Sequence, residues 1–410
     1  MVGTMAKIDD SVKKKVPELR FPGFTDDWEV RKLGSLTTVV RGASPRPIQD
    51  PKWFDKESDI GWLRIADVTE QNGRIYHLEQ HISKLGQEKT RVLTEPHLLL
   101  SIAATVGKPV VNYVKTGVHD GFLIFLNPTF EREFMFQWLE MFRPKWQKYG
   151  QPGSQVNLNS ELVRNQEIVL PNYKEQQKIG SFFKQLDNTI ALHQRKIDLL
   201  KEQKKGFLQK MFPKNGAKVP ELRFAGFADD WEERKLKDIA QFNPKTVLPD
   251  EFEYVDLESV VGTEMISHRT ESKDQAPSRA QRLAQKGDVF YQTVRPYQMN
   301  NYLYDLPYDN YVFSTGYAQM RPNIDSYFLL NSVQNKQFVQ HVLDRSTGTS
   351  YPAINSSDLS NIEIHVPSKL SEQQKIGAFF QQLDETIALH QRKLDLLKEQ
   401  KKGFLQKIFV

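Results

Sequence analysis

Cysteine is absent from this chain. That removes a disulfide framework, a thiolate zinc site, an iron–sulfur cluster and a cysteine nucleophile, and it fits a reducing compartment. Glycine is present, but no two glycines are spaced G-x-G and no pair is spaced for a P-loop. A dinucleotide loop and a phosphate-cradling loop of those kinds are therefore excluded. Long apolar runs are missing too. The longest, Leu98 to Val106, is interrupted by Ser101 and Thr105 and is too short to span a bilayer. The first residues are polar, without an apolar signal core. A cytoplasmic protein with no membrane association is the expectation. Charge of one sign is also scarce, with a net +5 over 410 residues. Its placement is uneven: about +5 over 173–212 and +2 over 371–410, against +1 over 34–172 and −4 over 237–370. Bulk charge thus does not announce a polyanionic partner, and any such contact must come from local clusters.

What the chain does contain is itself, twice. Val16–Leu33 (VPELRFPGFTDDWEVRKL) returns as Val219–Leu236 (VPELRFAGFADDWEERKL), identical at 15 of 18 positions. Glu175–Phe212 returns as Glu372–Phe409 at 33 of 38 positions. Residues 34–172 and 237–370 share little beyond their endings, GSQVNLNSELVRNQEIVLP and GTSYPAINSSDLSNIEIHVP. A period near 200 residues is too long for a solenoid, so this is a duplicated unit with a constant frame and a variable insert. The expected layout is a first domain with its lead over 16–172, a helix over 173–212, a second domain with its lead over 219–370, and a second helix over 371–410. Hydrophobic residues at 39% suffice for real cores in the two variable blocks.

The repeated blocks read as long helices without internal proline. Apolar positions step four, three, four, three, which is a heptad seam. The first seam holds Ile179, Phe183, Leu186, Ile190, His193, Ile197 and Leu200, continuing to Lys204, Phe207 and Met211. The second holds Ile376, Phe380, Leu383, Ile387, His390, Leu394 and Leu397, continuing to Lys401, Phe404 and Ile408. Asn172 with Glu175, and Ser371 with Gln374, look like capping boxes. About 38 residues at roughly 1.5 Å each make a rod of about 57 Å. Such a seam needs a partner, and the other copy is the obvious one. His193 and His390, each at a repeat midpoint, are expected to face each other as a polar register marker.

The variable blocks read as mixed α/β (α+β). Strands are expected at Gly61–Val68, Leu98–Ile102, Val110–Val114, Phe122–Leu126, Tyr254–Val261, Asp288–Gln292, Tyr311–Phe313 and Ile362–Val366. Glu131–Trp146 and Ser326–Leu343 read as helices. Catalytic chemistry is not in evidence. Asn127-Pro128-Thr129-Phe130 is close to the Asn-Pro-Pro-aromatic turn of amino-methyltransferases but lacks the second proline. Arg321-Pro322-Asn323-Ile324 sits at the matching place, so both read as structural turns. Pro249-Asp250 with Glu271-x-Lys273 fits a metal-nuclease pattern only loosely, and the first half has no counterpart. No catalytic residue and no metal ligand is assigned.

Polar loops of the variable blocks carry the candidate contacts. Arg41, Ser44 and Arg46 surround Gly42. Asn243 and Lys245 occupy the corresponding place in the second half. Arg295, Tyr297, Gln298, Asn300 and Asn301 share one loop. Gln151, Gln155 and Asn157, and Ser350 with Tyr351, lie in further glycine-containing loops. Arginine matches the edge of guanine, and asparagine or glutamine that of adenine. Concentration of these residues in the segments that differ between the halves favours recognition over solubility.

A lead of PELRFPGF…DDWE, a variable block and an EQQKIGSFFKQLDNTIALHQRK helix, all repeated, resembles the specificity subunit of type I restriction–modification enzymes. The resemblance covers residues 16–410. It implies two target-recognition domains, each reading half of a bipartite asymmetric site in double-stranded DNA, separated by an antiparallel helix pair with an internal pseudo-twofold. It also implies two methyltransferase subunits as partners, and restriction or translocase subunits through them. S-adenosylmethionine, ATP and Mg²⁺ would then belong to the partners and not to this chain. Gly42-Ala43-Ser44-Pro45 is similar to the family's G-x-[ST]-P loop, which the second half lacks. The alternative is a scaffold whose two domains bind proteins.

Overall fold

The computed structural model describes residues 16–146, 158–214 and 216–409. The chain forms two compact units. One holds the residues up to 193 together with 393–410, and the other holds 194–392. Both long helices, Tyr173–Lys210 and Leu370–Ile408, are therefore divided between the units. Among the described residues no helix is long and apolar enough to cross a membrane.

In the first unit a five-stranded sheet runs in the order Thr38–Arg41, Phe122–Leu126, Leu98–Ser101, Pro109–Asn112, Arg74–Ile75. A three-stranded sheet of Gly61–Leu63, Thr116–Val118 and Arg91–Leu93 is built from strands interleaved with these in sequence. Helix Arg132–Trp146 supplies Phe134, Met135, Trp138 and Phe142 to the main core. The second unit has two four-stranded sheets. One is ordered Ala240–Phe242, Tyr317–Pro322, Val289–Gln292, Tyr302–Leu303, and the other Arg269–Ser272, Glu251–Val255, Tyr311–Ser314, Ala280–Leu283. The mixed α/β reading holds, with local corrections. Gly61–Val68 is strand only to Leu63. Asp67 accepts from the Arg64 backbone at 2.8 Å and pairs with its guanidinium, which starts helix Ile65–Glu70. Ser326–Leu343 is two helices, because Asn335 caps a new start at Lys336 by accepting from the Gln337 backbone.

The repeated segments explain how each variable block is mounted. Arg20 of the first lead donates two bonds to Glu175, at 2.8 Å each, and Glu175 is fully buried. Arg223 makes the same fork to Glu372, at 2.6 and 2.8 Å. Each lead also donates from its backbone to the end of a long helix, Leu19 to Lys407 O in one unit and Leu222 to Lys210 O in the other. Trp28 and Trp231 close the leads in the cores. One residue on, Gln176 accepts from the Glu131 backbone and donates to Pro171 O. Gln373 does the same with Asp325 and Pro367. Gly180 and Gly377 leave room for that seat: a Cβ would stand 2.3 Å from Glu131 and 2.2 Å from Asp325 respectively. The EQQKIG motif is a mounting bracket.

The capping expectation is half right. Asn172 accepts from the Glu175 backbone, but the Glu175 carboxylate is committed to Arg20. The second helix begins at Leu370, so Ser371 lies inside it.

Within each unit the helix segments run antiparallel. In the first, Phe182 meets Phe404 at 5.2 Å and Asp187 meets Lys401 at 2.6 Å. In the second, Phe207 meets Phe379 at 4.9 Å and Lys204 meets Asp384 at 2.6 Å. The same repeat positions are used both times. Ile179, Phe183, Ile197, Leu200, Ile376, Phe380, Ile387, Leu394 and Leu397 are buried, while Leu186, Ile190 and Leu383 are half-buried. The lysines at seam positions 204 and 401 are no misfits, since each meets an aspartate from the facing segment. Burial alone would raise the Asp187 carboxyl. The Lys401 charge and hydrogen bond, with help from Arg74, outweigh it and hold Asp187 below the usual carboxylate range. His193 and His390 are half-buried, one in each unit.

Candidate nucleic-acid interface

In the first unit three sequence candidates gather on one aspartate, two at its carboxylate and one at its backbone carbonyl. Strand Thr38–Arg41 runs antiparallel to Phe122–Leu126, which carries the loop after Arg41 past Asp120. Arg41 Nε donates to the Asp120 carbonyl at 2.6 Å, Ser44 Oγ to Asp120 Oδ1 at 2.8 Å, and Arg46 Nη2 to Asp120 Oδ2 at 2.6 Å. Gly42 is obligatory, because a Cβ there would fall 2.1 Å from the His119 carbonyl. Partial burial pushes the Asp120 carboxyl up. The Ser44 hydrogen bond and the charges of Arg46, His119 and Arg41 overcome this and keep its pKa lowered. The Arg46 side chain is still 72% exposed, so an oriented guanidinium with free N–H groups faces solvent. Sequence reading missed Asp120 and Arg91, whose Nε donates to the Arg41 carbonyl. Asp120 lies over seventy residues from its partners, and no local pattern signals it.

In the second unit the loops around 293–301 and 346–353 converge. Val294 and Thr347 both bridge to Ala353, the Arg295 backbone donates to Pro352 O, and Ile354 donates to Thr293 O. Arg295 takes a left-handed backbone conformation, φ 54°. Its guanidinium lies over the Tyr351 ring at 4.5 Å, a cation–π geometry. Its Nε is buried and makes no hydrogen bond among the described residues. Tyr297 and Tyr351 are exposed by 49% and 64%, and Lys245, Gln298 and Ser350 are exposed as well. A charged donor and two open aromatic faces thus stand together, the combination that grips base edges and rings.

Other candidates are spent inside the fold. Asn301 is buried and accepts from the Gln292 backbone. Asn300 accepts from the Gly262 backbone. Asn243 donates to Ser356 and accepts from the Gln319 backbone, so its amide braces the loop it was expected to read from. Gln298 accepts from Gln292 while staying exposed. Gln151, Gln155 and Asn157 lie outside the described residues. The first unit places Ala104, φ 56°, where the second places Arg295: each stands three residues past the end of a matching strand, Leu98–Ser101 and Val289–Gln292. The two units therefore present their polar groups from different loops of one scaffold.

Comparison with known proteins agrees with this duplicated scaffold. A family profile described as "Type I restriction modification DNA specificity domain" matches residues 25–202 and again 228–399. The MjaVIII type I restriction enzyme specificity subunit of Methanocaldococcus jannaschii is 21% identical over 414 residues, covering 96% of this chain and 93% of the relative. The HindI specificity subunit of Haemophilus influenzae is 26% identical over 176 residues, 39% of this chain and 37% of the relative. The crystal structure of a type I restriction–modification S subunit from M. genitalium superposes with TM-score 0.63 at 14% identity, covering 96% of this chain and 99% of that one. A chain from a study of complex assembly and conformational transition in the type I system gives 0.51 at 17% identity, covering 93% and 97%. With both copies of the mounting bracket, both variable blocks and most of its length matched by the profile, the chain belongs to the family of type I restriction–modification DNA specificity domains.

Proposed function

We propose that this chain reads a bipartite, asymmetric DNA target, one half through each variable block, and directs two methyltransferase subunits to it, with restriction or translocase subunits following through them. One observation carries the reading. The brackets Arg20–Glu175 and Arg223–Glu372 are alike, whereas the exposed loops they position differ: Arg41, Ser44 and Arg46 in one, Arg295, Tyr297 and Tyr351 in the other. Identical mounts with unlike readers suit a target whose halves differ. In this reading the chain does no chemistry. Methyl transfer, ATP-driven movement and cleavage, with S-adenosylmethionine, ATP and Mg²⁺, belong to the partners.

Selection of bound duplexes from a random pool tests it. The expected result is a consensus of two unlike blocks separated by unspecified base pairs. A protein-binding scaffold would return no consensus. A single block would remove the bipartite reading.

A further inference from the structure

The second variable block carries a net charge of −4, which repels a polyanion, yet its loops are the proposed readers. Attraction must come from a neighbour. Within the same unit, a groove of about 270 Å³ runs beside the reading loop. Lys201, Lys205 and Leu208 of the first long helix form one wall, and Met299, Gln334 and Lys336 of the variable block form the other. Met299 belongs to the reading loop itself, and its carbonyl accepts from Gln334 Nε2 at 3.1 Å. Lysine stems and Leu208 make the floor apolar, with the ammonium groups at the rim. Lys204 is tied to Asp384. Among the described residues Lys205 pairs only with the exposed Glu202, at 3.3 Å. Lys201 and Lys336 are exposed and make no ion pair among the described residues.

We infer that this groove holds the sugar–phosphate backbone of one DNA strand beside the half-site read by 293–301. Lys201, Lys205 and Lys336 contact successive phosphates, and the stems pack on deoxyribose. Three observations support it: the ammonium rim, continuity with the reading loop through Met299, and the repetition of the helix triplet Lys201, Lys204 and Lys205 in the other long helix. The other helix carries Lys398, Lys401 and Lys402 in the first unit, again with the middle lysine held by an aspartate, Asp187. The constant helix would thus supply sequence-independent affinity while the variable loops supply sequence. This inference rests on the DNA-reading function proposed above.

The test is Lys201→Gln/Lys205→Gln/Lys336→Gln in the full chain, leaving Lys204 in place. Binding to a duplex of the selected consensus is followed across a salt series. Each lost phosphate contact should flatten the slope of log K against log salt by about 0.9, so about 2.7 in all, with the preferred sequence unchanged. An unchanged slope overturns the inference. So does an unchanged slope accompanied by loss of the copurifying methyltransferase subunit, which would make the groove a protein dock. A wild-type chain with no sequence preference would instead bring down the proposed function itself. Lys201→Arg/Lys205→Arg/Lys336→Arg should restore the slope, which separates loss of charge from misfolding.

Discussion

A single guanidinium decides much of what the second unit can read. Arg295 stands over Tyr351 with a buried Nε that has no hydrogen-bond partner among the described residues, and a buried donor without a partner costs about 1–3 kcal/mol. Arg295→Ala should weaken binding to the cognate duplex by about 1–3 kcal/mol and relax one base position, measured by competition with single-base variants. A uniform loss on all sequences with a shallower salt slope would make Arg295 a phosphate contact instead. In the first unit the corresponding hub is Asp120, with its carboxyl lowered. A group depressed on folding stabilises above its unfolded pKa, and that contribution is lost as pH falls through the folded value. The wild type should therefore lose its stability advantage over Asp120→Asn as the pH drops below about 4, read from urea midpoints between pH 3 and 6. A constant difference over that range would show that Asp120 acts by shape alone. Neither residue's setting was legible beforehand. Arg295 stood out by type, but its stacking depends on a loop over fifty residues away, and the partners of Asp120 are equally remote.

At the level of elements the helices were legible, because an unbroken 4–3 apolar spacing has few other physical readings. The brackets were not. Arg20 and Glu175 are far apart in the chain, and periodicity carries no information about such pairs. The helices also contain glycines of two kinds that sequence alone renders alike. Gly180 faces Glu131 and the Phe134 backbone nitrogen at 2.9 Å, while Gly206 has nothing within 4 Å of a Cβ. Gly206→Ala should raise stability by about 0.5–1 kcal/mol, through reduced backbone freedom of the unfolded chain and better helix propensity. Gly180→Ala should lower it by about 1–3 kcal/mol through overpacking. Denaturant midpoints that moved the same way for both would refute this account of the seat.

For the whole molecule the chief lesson is modularity. Replacing residues 34–172 with another block of the same family should alter one half of the selected consensus and leave the other intact. A change in both halves would mean that the blocks do not read separately. The duplication was plain in the sequence, but how it is shared out was not. Phe409 lies near Phe134 and Phe183, at 5.3 and 5.9 Å, so the first unit is completed by residues some 200 positions beyond its own variable block. Phe409→Ala, which empties a buried site, should cost about 3–5 kcal/mol. Hydrogen exchange should show the loss around Phe122–Leu126 and spare Tyr317–Pro322. The feature also bears on biosynthesis. On the ribosome, the unit whose variable block emerges first must wait with an open core until residues 393–409 have been translated. The unit whose block emerges second already has its borrowed helix segment, 194–212, in hand. The later-made half can thus mature first, and the earlier-made half is the one exposed to proteases and chaperones while translation continues.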